Sequence, residues 1–299
     1  MLIFKKVADL RQWLECQTLP IGFAPTMGAL HEGHLELIRM SKREGCLTVA
    51  SIFVNPTQFN DLKDLEKYPR TAEKDAVMLI SAECDALFIP PVEEVYPPGQ
   101  QLTIDLDFKQ LDKVMEGEFR PGHFKGMATV VNRLLDIVRP QKLYMGQKDF
   151  QQLSIVRDMI RQLELPVELV MCPTVREQDG LAMSSRNVRL TPEMRAAAPA
   201  IYQTLSWAKT ALEQDQAVNA IQAEAMSRLA QVGLRPEYFE MVDGITLEPL
   251  RLKQSVEIGS PIVICTAVFA GDVRLIDNVV LHFCVFAPCL FVQNHRFAP

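Results

Sequence analysis

Short apolar runs alternate along the chain with longer stretches of helical periodicity. The runs IGFAP (21–25), CLTVASIFVNP (46–56), ALFIP (86–90), KLYMG (142–146) and VELVMCPTV (167–175) are strand-length and rich in apolar or β-branched residues. The second closes on Asn-Pro, a turn signal. Between them, 31–44, 71–85, 123–138 and 149–165 carry apolar residues at helical spacing. Met127, Val130, Val131, Leu134 and Ile137 mark one such face. Strands joined through helices need right-handed crossovers, which predicts a Rossmann-like α/β fold: a parallel sheet with helices on both faces.

The pattern changes after Val175. Residues 191–214 and 217–232 are helical and mixed-polar; 236–244, 262–271 and 273–280 are strands joined by turns. The expected organisation is a Rossmann-like domain over 1–175 and a smaller C-terminal α+β domain over 176–281. The stretch 282–299 is apolar, holds Cys284 and Cys289, and follows neither period, so no placement follows for it.

Composition narrows the class of function. The chain has 299 residues, 48% hydrophobic and 23% charged, enough for a sizeable core. A net charge of −6 argues against nucleic-acid binding through bulk positive charge and leaves room for a local basic pocket. Seven cysteines show no C-x-x-C pair. Cys46, Cys172 and Cys265 lie in or beside apolar runs, which predicts buried free thiols and a cytoplasmic location. No signal-peptide core and no membrane-spanning run is expected.

The candidate chemistry sits where strands hand over to helices, which is where open α/β sheets bind ligands. The first stretch is PTMGALHEGH, 25–34. Gly28 lets the backbone turn, Gly33 leaves room at a helix start, and His31 and His34 fall on one helical face. Free N–H groups and the helix dipole favour an anion there. A packed pair of histidines remains an alternative. Zinc is disfavoured, because H-E-G-H is one residue short of the zincin spacing. The second stretch, MGQKDFQQ (145–152), offers Gly146, Lys148 as a point charge for phosphate, and Asp149 for ribose hydroxyls; a plain helix cap at Asp149 is the competing reading. In the third, REQDGLAMSSRN (176–187), Ser184, Ser185 and Arg186 suit phosphate oxygens as well as an ordinary loop. Asn55 and Gln58 follow a strand, and Gln152 faces them from a helix; neutral amides orient a polar substrate without adding charge. Arg120 and His123 stand in a glycine-bounded loop that suits a mobile lid.

The ordered set P-T-M-G-A-L-H-E-G-H, F-V-N-P-T-Q-F, Y-P-R-T, R-P-G-H-F, G-Q-K-D-F-Q-Q and M-S-S-R-N closely resembles the pantoate–β-alanine ligases, a family of the H-x-G-H nucleotidyltransferase superfamily related in fold to class I aminoacyl-tRNA synthetases. The resemblance runs to about residue 280. It implies attack of pantoate on the α-phosphorus of ATP, giving pantoyl adenylate and pyrophosphate. β-Alanine then displaces AMP. It also implies Mg²⁺ accompanying ATP with no protein ligand assigned, and a homodimer. Residue by residue, it implies ATP contacts from Met27, Gly28, Ala29, Leu30, His31, Glu32, Gly33 and His34, with His34 the proton donor and His31 and Lys148 beside it in catalysis. Further ATP contacts fall on Gly146, Gln147, Lys148, Asp149, Val175, Met183, Ser184, Ser185 and Arg186. Asn55, Gln58 and Gln152 would hold pantoate, and Gln58 would also meet β-alanine. Two other readings remain: transfer of AMP to a phosphate ester, and a non-catalytic ATP-binding regulator.

Overall fold

The structure, a computed structural model, describes residues 1–58, 68–100, 103–251 and 260–281. The expectation for 282–299 therefore lies outside the described residues, as does Phe59 of the N-P-T-Q-F motif.

Six parallel strands form the larger sheet: β1 (Leu2–Phe4), β2 (Ile21–Thr26), β3 (Leu47–Ile52), β4 (Ala86–Phe88), β5 (Lys142–Gly146) and β6 (Glu168–Cys172). Their order is β1-β4-β3-β2-β5-β6. The longer helices of this half are α1 (Val7–Glu15), α2 (Glu32–Arg43), α3 (Ala72–Ser81), α4 (His123–Val138) and α5 (Phe150–Gln162). They cover both faces. Leu10 and Leu14 of α1, Met127 and Leu134 of α4, and Leu153 and Val156 of α5 share one apolar cluster; Leu35 and Ile38 of α2 and Leu79 of α3 form another. The strands feed both by alternation: Phe23 and Val49 enter the first, Ala24 and Ala50 the second. That double burial explains why these strands read as continuous apolar runs.

The chain builds outward from β2 through β3 and β4, then crosses by α4 to β5 on the other side of β2. Connections leaving β2 and β5 therefore diverge, and the crevice beyond their carboxyl ends is the topological switch point. PTMGALHEGH leaves β2 and GQKDFQQ leaves β5.

Downstream lie α6 (Ala200–Glu213), α7 (Val218–Gln231) and an antiparallel sheet β7-β8-β9 (Arg235–Asp243, Ile262–Ala270, Val273–Leu281). One face of this sheet packs Met241 and Ile264 with α6 and α7. The other puts Val242, Val263 and Cys265 into the apolar cluster of the six-stranded sheet. The edge pair β1 and α1 were not among the predicted elements; three residues with two exposed side chains carry too little periodicity to read.

Candidate active site

At the end of β2 the backbone enters the left-handed region twice, at Gly28 (φ 82°) and Ala29 (φ 50°). The second position is strained for a residue with a Cβ. The turn is held from outside: Asp75 of α3 accepts from the N–H groups of Ala29 and Leu30, one per carboxylate oxygen, both at 2.9 Å. Thr71 Oγ1 donates to the same carboxylate at 3.1 Å. Asp75 is 1% exposed. Sequence reasoning gave it no role, although an aspartate sharing the buried helix stripe with Leu79, four residues on, was the available signal.

His31 is the N-cap of α2, and its Nδ1 accepts from Gly33 N–H at 3.1 Å. His34 Nδ1 accepts from the backbone N–H of His31 at 3.3 Å. The rings lie 4.0 Å apart, centroid to centroid. A Cβ at Gly33 would stand 2.9 Å from the His31 ring and press on it, while its 3.8 Å distance to Met183 Cβ is ordinary contact. Because each Nδ1 accepts, each Nε2 carries the hydrogen and has no protein partner among the described residues. Burial, then the charge of Lys148, lowers the pKa of His31 to about 4. Burial, then His31, lowers that of His34 to about 3. In the free protein both are neutral N–H donors.

The second edge of the crevice is the turn Gln147–Asp149 after β5. Lys148 is 17% exposed, and its Nζ lies 3.8 Å from Asp149 Oδ1, its one polar partner among the described residues. Asp149 makes no side-chain cap to α5, which disposes of the simple capping alternative. Asp149 is exposed, and Lys148 and then Arg186 hold its pKa below the ordinary value. Arg186 is exposed on the rim, while Ser184 Oγ accepts from Arg186 N–H at 3.3 Å. The Met183 N–H donates to the Val175 carbonyl at 3.0 Å, closing the segment from 175 to 183 into a hairpin-like strap.

The amide corner lies on the other side of the β2 turn. Gln58 Nε2 donates to Met27 Sδ at 2.8 Å. Gln152 is half-buried and makes no side-chain hydrogen bond among the described residues. Asn55 differs from expectation: it is 1% exposed and fully engaged. Its Nδ2 donates to Gln58 Oε1 and the Gly126 carbonyl, both at 3.2 Å, while its Oδ1 accepts from Tyr96 Oη at 2.9 Å and from Thr57. It orients Gln58. Two further side chains turn away. Glu32 pairs with Arg39 at 2.9 Å on the solvent side, and the Gln147 amide donates to Asn278 at 3.1 Å, so only their backbones belong to the crevice. His123 is buried at the start of α4, with Nδ1 3.0 Å from the Gln58 carbonyl oxygen. Burial and then Arg120 lower its pKa to about 4. This is an anchored ring and does not fit a mobile lid.

Switch-point topology, an H-x-G-H helix cap and a facing lysine turn define an α/β protein of the H-x-G-H nucleotidyltransferase type. The comparisons narrow this. A sequence model of the family described as pantoate-beta-alanine ligase matches residues 2–280. The chain is 47% identical over 284 residues to a pantothenate synthetase of Porphyromonas gingivalis, covering 93% of this chain and 99% of the relative. A solved pantothenate synthetase of Thermus thermophilus superposes with a TM-score of 0.85 at 44% identity, covering 93% of this chain and 99% of that one. A pantoate-beta-alanine ligase of Francisella tularensis, complexed with beta-gamma ATP and beta-alanine, gives 0.77 at 34% identity, over 94% and 97%. The chain belongs to the pantoate–β-alanine ligase family.

Proposed function

We infer that this protein condenses pantoate with β-alanine in an ATP-dependent reaction that passes through pantoyl adenylate and releases AMP and pyrophosphate. Family membership supports the reaction. The observation that ties it to these residues is the meeting, at one switch point, of two neutral Nε2–H donors with Lys148, whose one polar partner among the described residues, Asp149, stands 3.8 Å away.

In the first step a pantoate carboxylate oxygen bonds to the α-phosphorus as the bond to pyrophosphate breaks. Negative charge grows on the α-phosphoryl oxygens and the leaving group, where His31, His34 and Lys148 supply fixed donors. Ser184, Ser185 and Arg186 close on the phosphates from the strap, and Val175 and Met183 border the base. Gln58 and Gln152 orient pantoate for in-line attack. In the second step the β-alanine amine attacks the pantoyl carbonyl carbon, and the acyl–phosphate bond breaks to free AMP. The leaving AMP oxygens face the same donors, and no protein nucleophile takes part.

Mg²⁺ fits as an ion that arrives on ATP. No group of three or more His, Cys, Asp or Glu is gathered among the described residues, and buried Asp75 beside the β2–α2 turn is occupied by its two backbone N–H groups and Thr71. Such an ion keeps most of its ligands from phosphate and water. The same reading divides the chain at about residue 175 and carries a homodimer and a cytoplasmic location. Free, buried Cys46, Cys84, Cys172 and Cys265 support the last, and no helix among the described residues is long and apolar enough to cross a membrane.

The test is direct. AMP, pyrophosphate and pantothenate appear together only when ATP, pantoate and β-alanine are all present, and pyrophosphate exchange into ATP requires pantoate alone. Formation of ADP, or exchange without pantoate, refutes the ligase; AMP transfer to a phosphate ester would identify the transferase alternative.

A further inference from the structure

Two consecutive residues of β9, Asp277 and Asn278, reach away from the β9 ladder and hold both phosphate-binding segments. Asn278 is 2% exposed. Its Nδ2 donates to the carbonyl of Gln147 at 3.0 Å and to that of Lys148 at 2.9 Å, and its Oδ1 accepts from Gln147 Nε2 at 3.1 Å. Every polar position of this buried amide is therefore directed at the turn that carries Lys148. Asp277, 4% exposed, takes Arg176 in a two-bond fork at 2.6 and 3.0 Å. Arg176 begins the strap that ends at Ser184–Arg186. Its guanidinium also donates to the Gly180 carbonyl within that strap at 3.1 Å and stacks 3.7 Å above the Tyr202 ring. A cavity lies where Lys148, Ser184 and Arg186 meet Asp277 and Arg274 of β9.

Packing alone does not call for this chemistry. A buried carboxamide and a buried carboxylate each carry a desolvation cost that an apolar side chain would avoid, and apart from the Asn278 N–H that donates to Asp277 Oδ1 their side-chain partners lie in the Lys148 turn and at Arg176. The two segments they hold come from different parts of the chain, one after β5 and one after β6, with no direct hydrogen bond between them among the described residues. Their spacing is set through β9.

We propose that Asp277 and Asn278 are positioning residues that fix the Lys148 turn and the Arg176–Arg186 strap relative to each other, so that the two halves of the phosphate clamp meet one triphosphate. They touch no substrate and act through Lys148 and the strap. The proposal rests on the ATP site inferred above. It predicts a selective defect, because Gln58 and Gln152 have no bond to β9.

The test is steady-state kinetics on the full chain with ATP, pantoate and β-alanine, with thermal unfolding as a folding control. Asn278→Ala is expected to raise KM for ATP about tenfold and lower the rate of pantoate-dependent pyrophosphate exchange about tenfold, with KM for pantoate within twofold of the parent. A misplaced lysine contributes little, so Asn278→Ala combined with Lys148→Ala is expected to be no slower than Lys148→Ala alone. Arg176→Lys, which loses the fork and keeps the charge, is expected to raise KM for ATP about fivefold. Where Asn278→Ala fails to fold, Asn278→Ser, with a hydroxyl for one carbonyl, gives the same pattern at smaller size. Multiplicative losses in the double variant, an equal rise in KM for pantoate, or unchanged kinetics overturn the positioning role. Unsubstituted protein without pantoate-dependent exchange overturns the ligase reading instead, and the proposal with it.

Discussion

Replacing Asp75 by alanine removes the carboxylate that accepts from Ala29 and Leu30 N–H in the left-handed β2–α2 turn, and leaves Thr26 Oγ1 on Gly28 N–H at 3.2 Å. The two N–H groups it serves, from Ala29 and Leu30, bond to a carboxylate at 2.9 Å, and Leu30 is itself buried. Hydrogen bonds to a charged group are each worth about 1.5–3 kcal/mol, and a stranded buried donor adds its own desolvation cost. Water reaching Ala29, at the crevice side, recovers part of this. The expected loss of folding stability is about 3 kcal/mol, and the Ala29 backbone, left-handed without support, is expected to relax.

That relaxation moves the His31 cap, two residues on, so activity falls together with stability. The measurement is urea unfolding by circular dichroism beside pantoate-dependent pyrophosphate exchange at a temperature where the variant remains folded. An exchange rate at least about 30-fold below the parent is expected. Asp75→Asn keeps the shape but turns an NH₂ toward one of the two N–H groups, and should fall between alanine and the parent. A stability loss under about 1 kcal/mol, with exchange within threefold of the parent, refutes the argument that this carboxylate builds the turn.

Three further outcomes follow from the site. His34→Ala and Lys148→Ala should each lower pantoate-dependent exchange by about 10²-fold with unfolding midpoints near the parent, since each removes a donor from developing charge. Gln58→Ala should raise KM for pantoate more than KM for ATP in the coupled AMP assay; equal rises would count against the amide corner. For pH, His31, His34 and His123 stay neutral in the fold and gain protons in the unfolded chain, so stability is full above about pH 6.5 and is lost as pH falls toward 4. Each histidine kept neutral adds a slope of up to about 1.4 kcal/mol per pH unit across that window. Urea midpoints for His123→Gln should depend less on pH than those of the parent.

Periodicity carried most of the fold because this sheet buries both faces. Continuous apolar runs such as 47–52 and helices with one apolar stripe, such as 123–138, leave few alternatives. The motif residues of the crevice were legible for a similar reason: they stand at strand ends, where glycines and charged residues break the apolar pattern. What escaped was supplied from a distance in sequence. Asp75 reaches a turn 46 residues away, and Asn278 a turn about 130 residues away. Neither lies in a local pattern that reports its partner. Asn55 is a further case: its amide bonds to Gln58 and to the Gly126 carbonyl 71 residues away, partners that the local motif does not report.

Neutral histidines in this crevice would divide its work with the charged side chains. Lys148, Arg120 and Arg186 already supply fixed positive charge around Asp149. Imidazolium groups added to these would strengthen the hold on ATP and on the pyrophosphate product alike, and uniform binding of that kind does not speed the chemical step. A neutral Nε2–H, fixed by the bond its Nδ1 accepts, gains most when charge moves onto the oxygen it faces, which is the change that adenylation brings. Gly33 is the residue on which this depends, because its missing Cβ allows the His31 ring to fold back onto the helix start. The backbone N–H of Gly33 therefore fixes the tautomer of His31, the first histidine of the motif, and its missing Cβ leaves room for that ring.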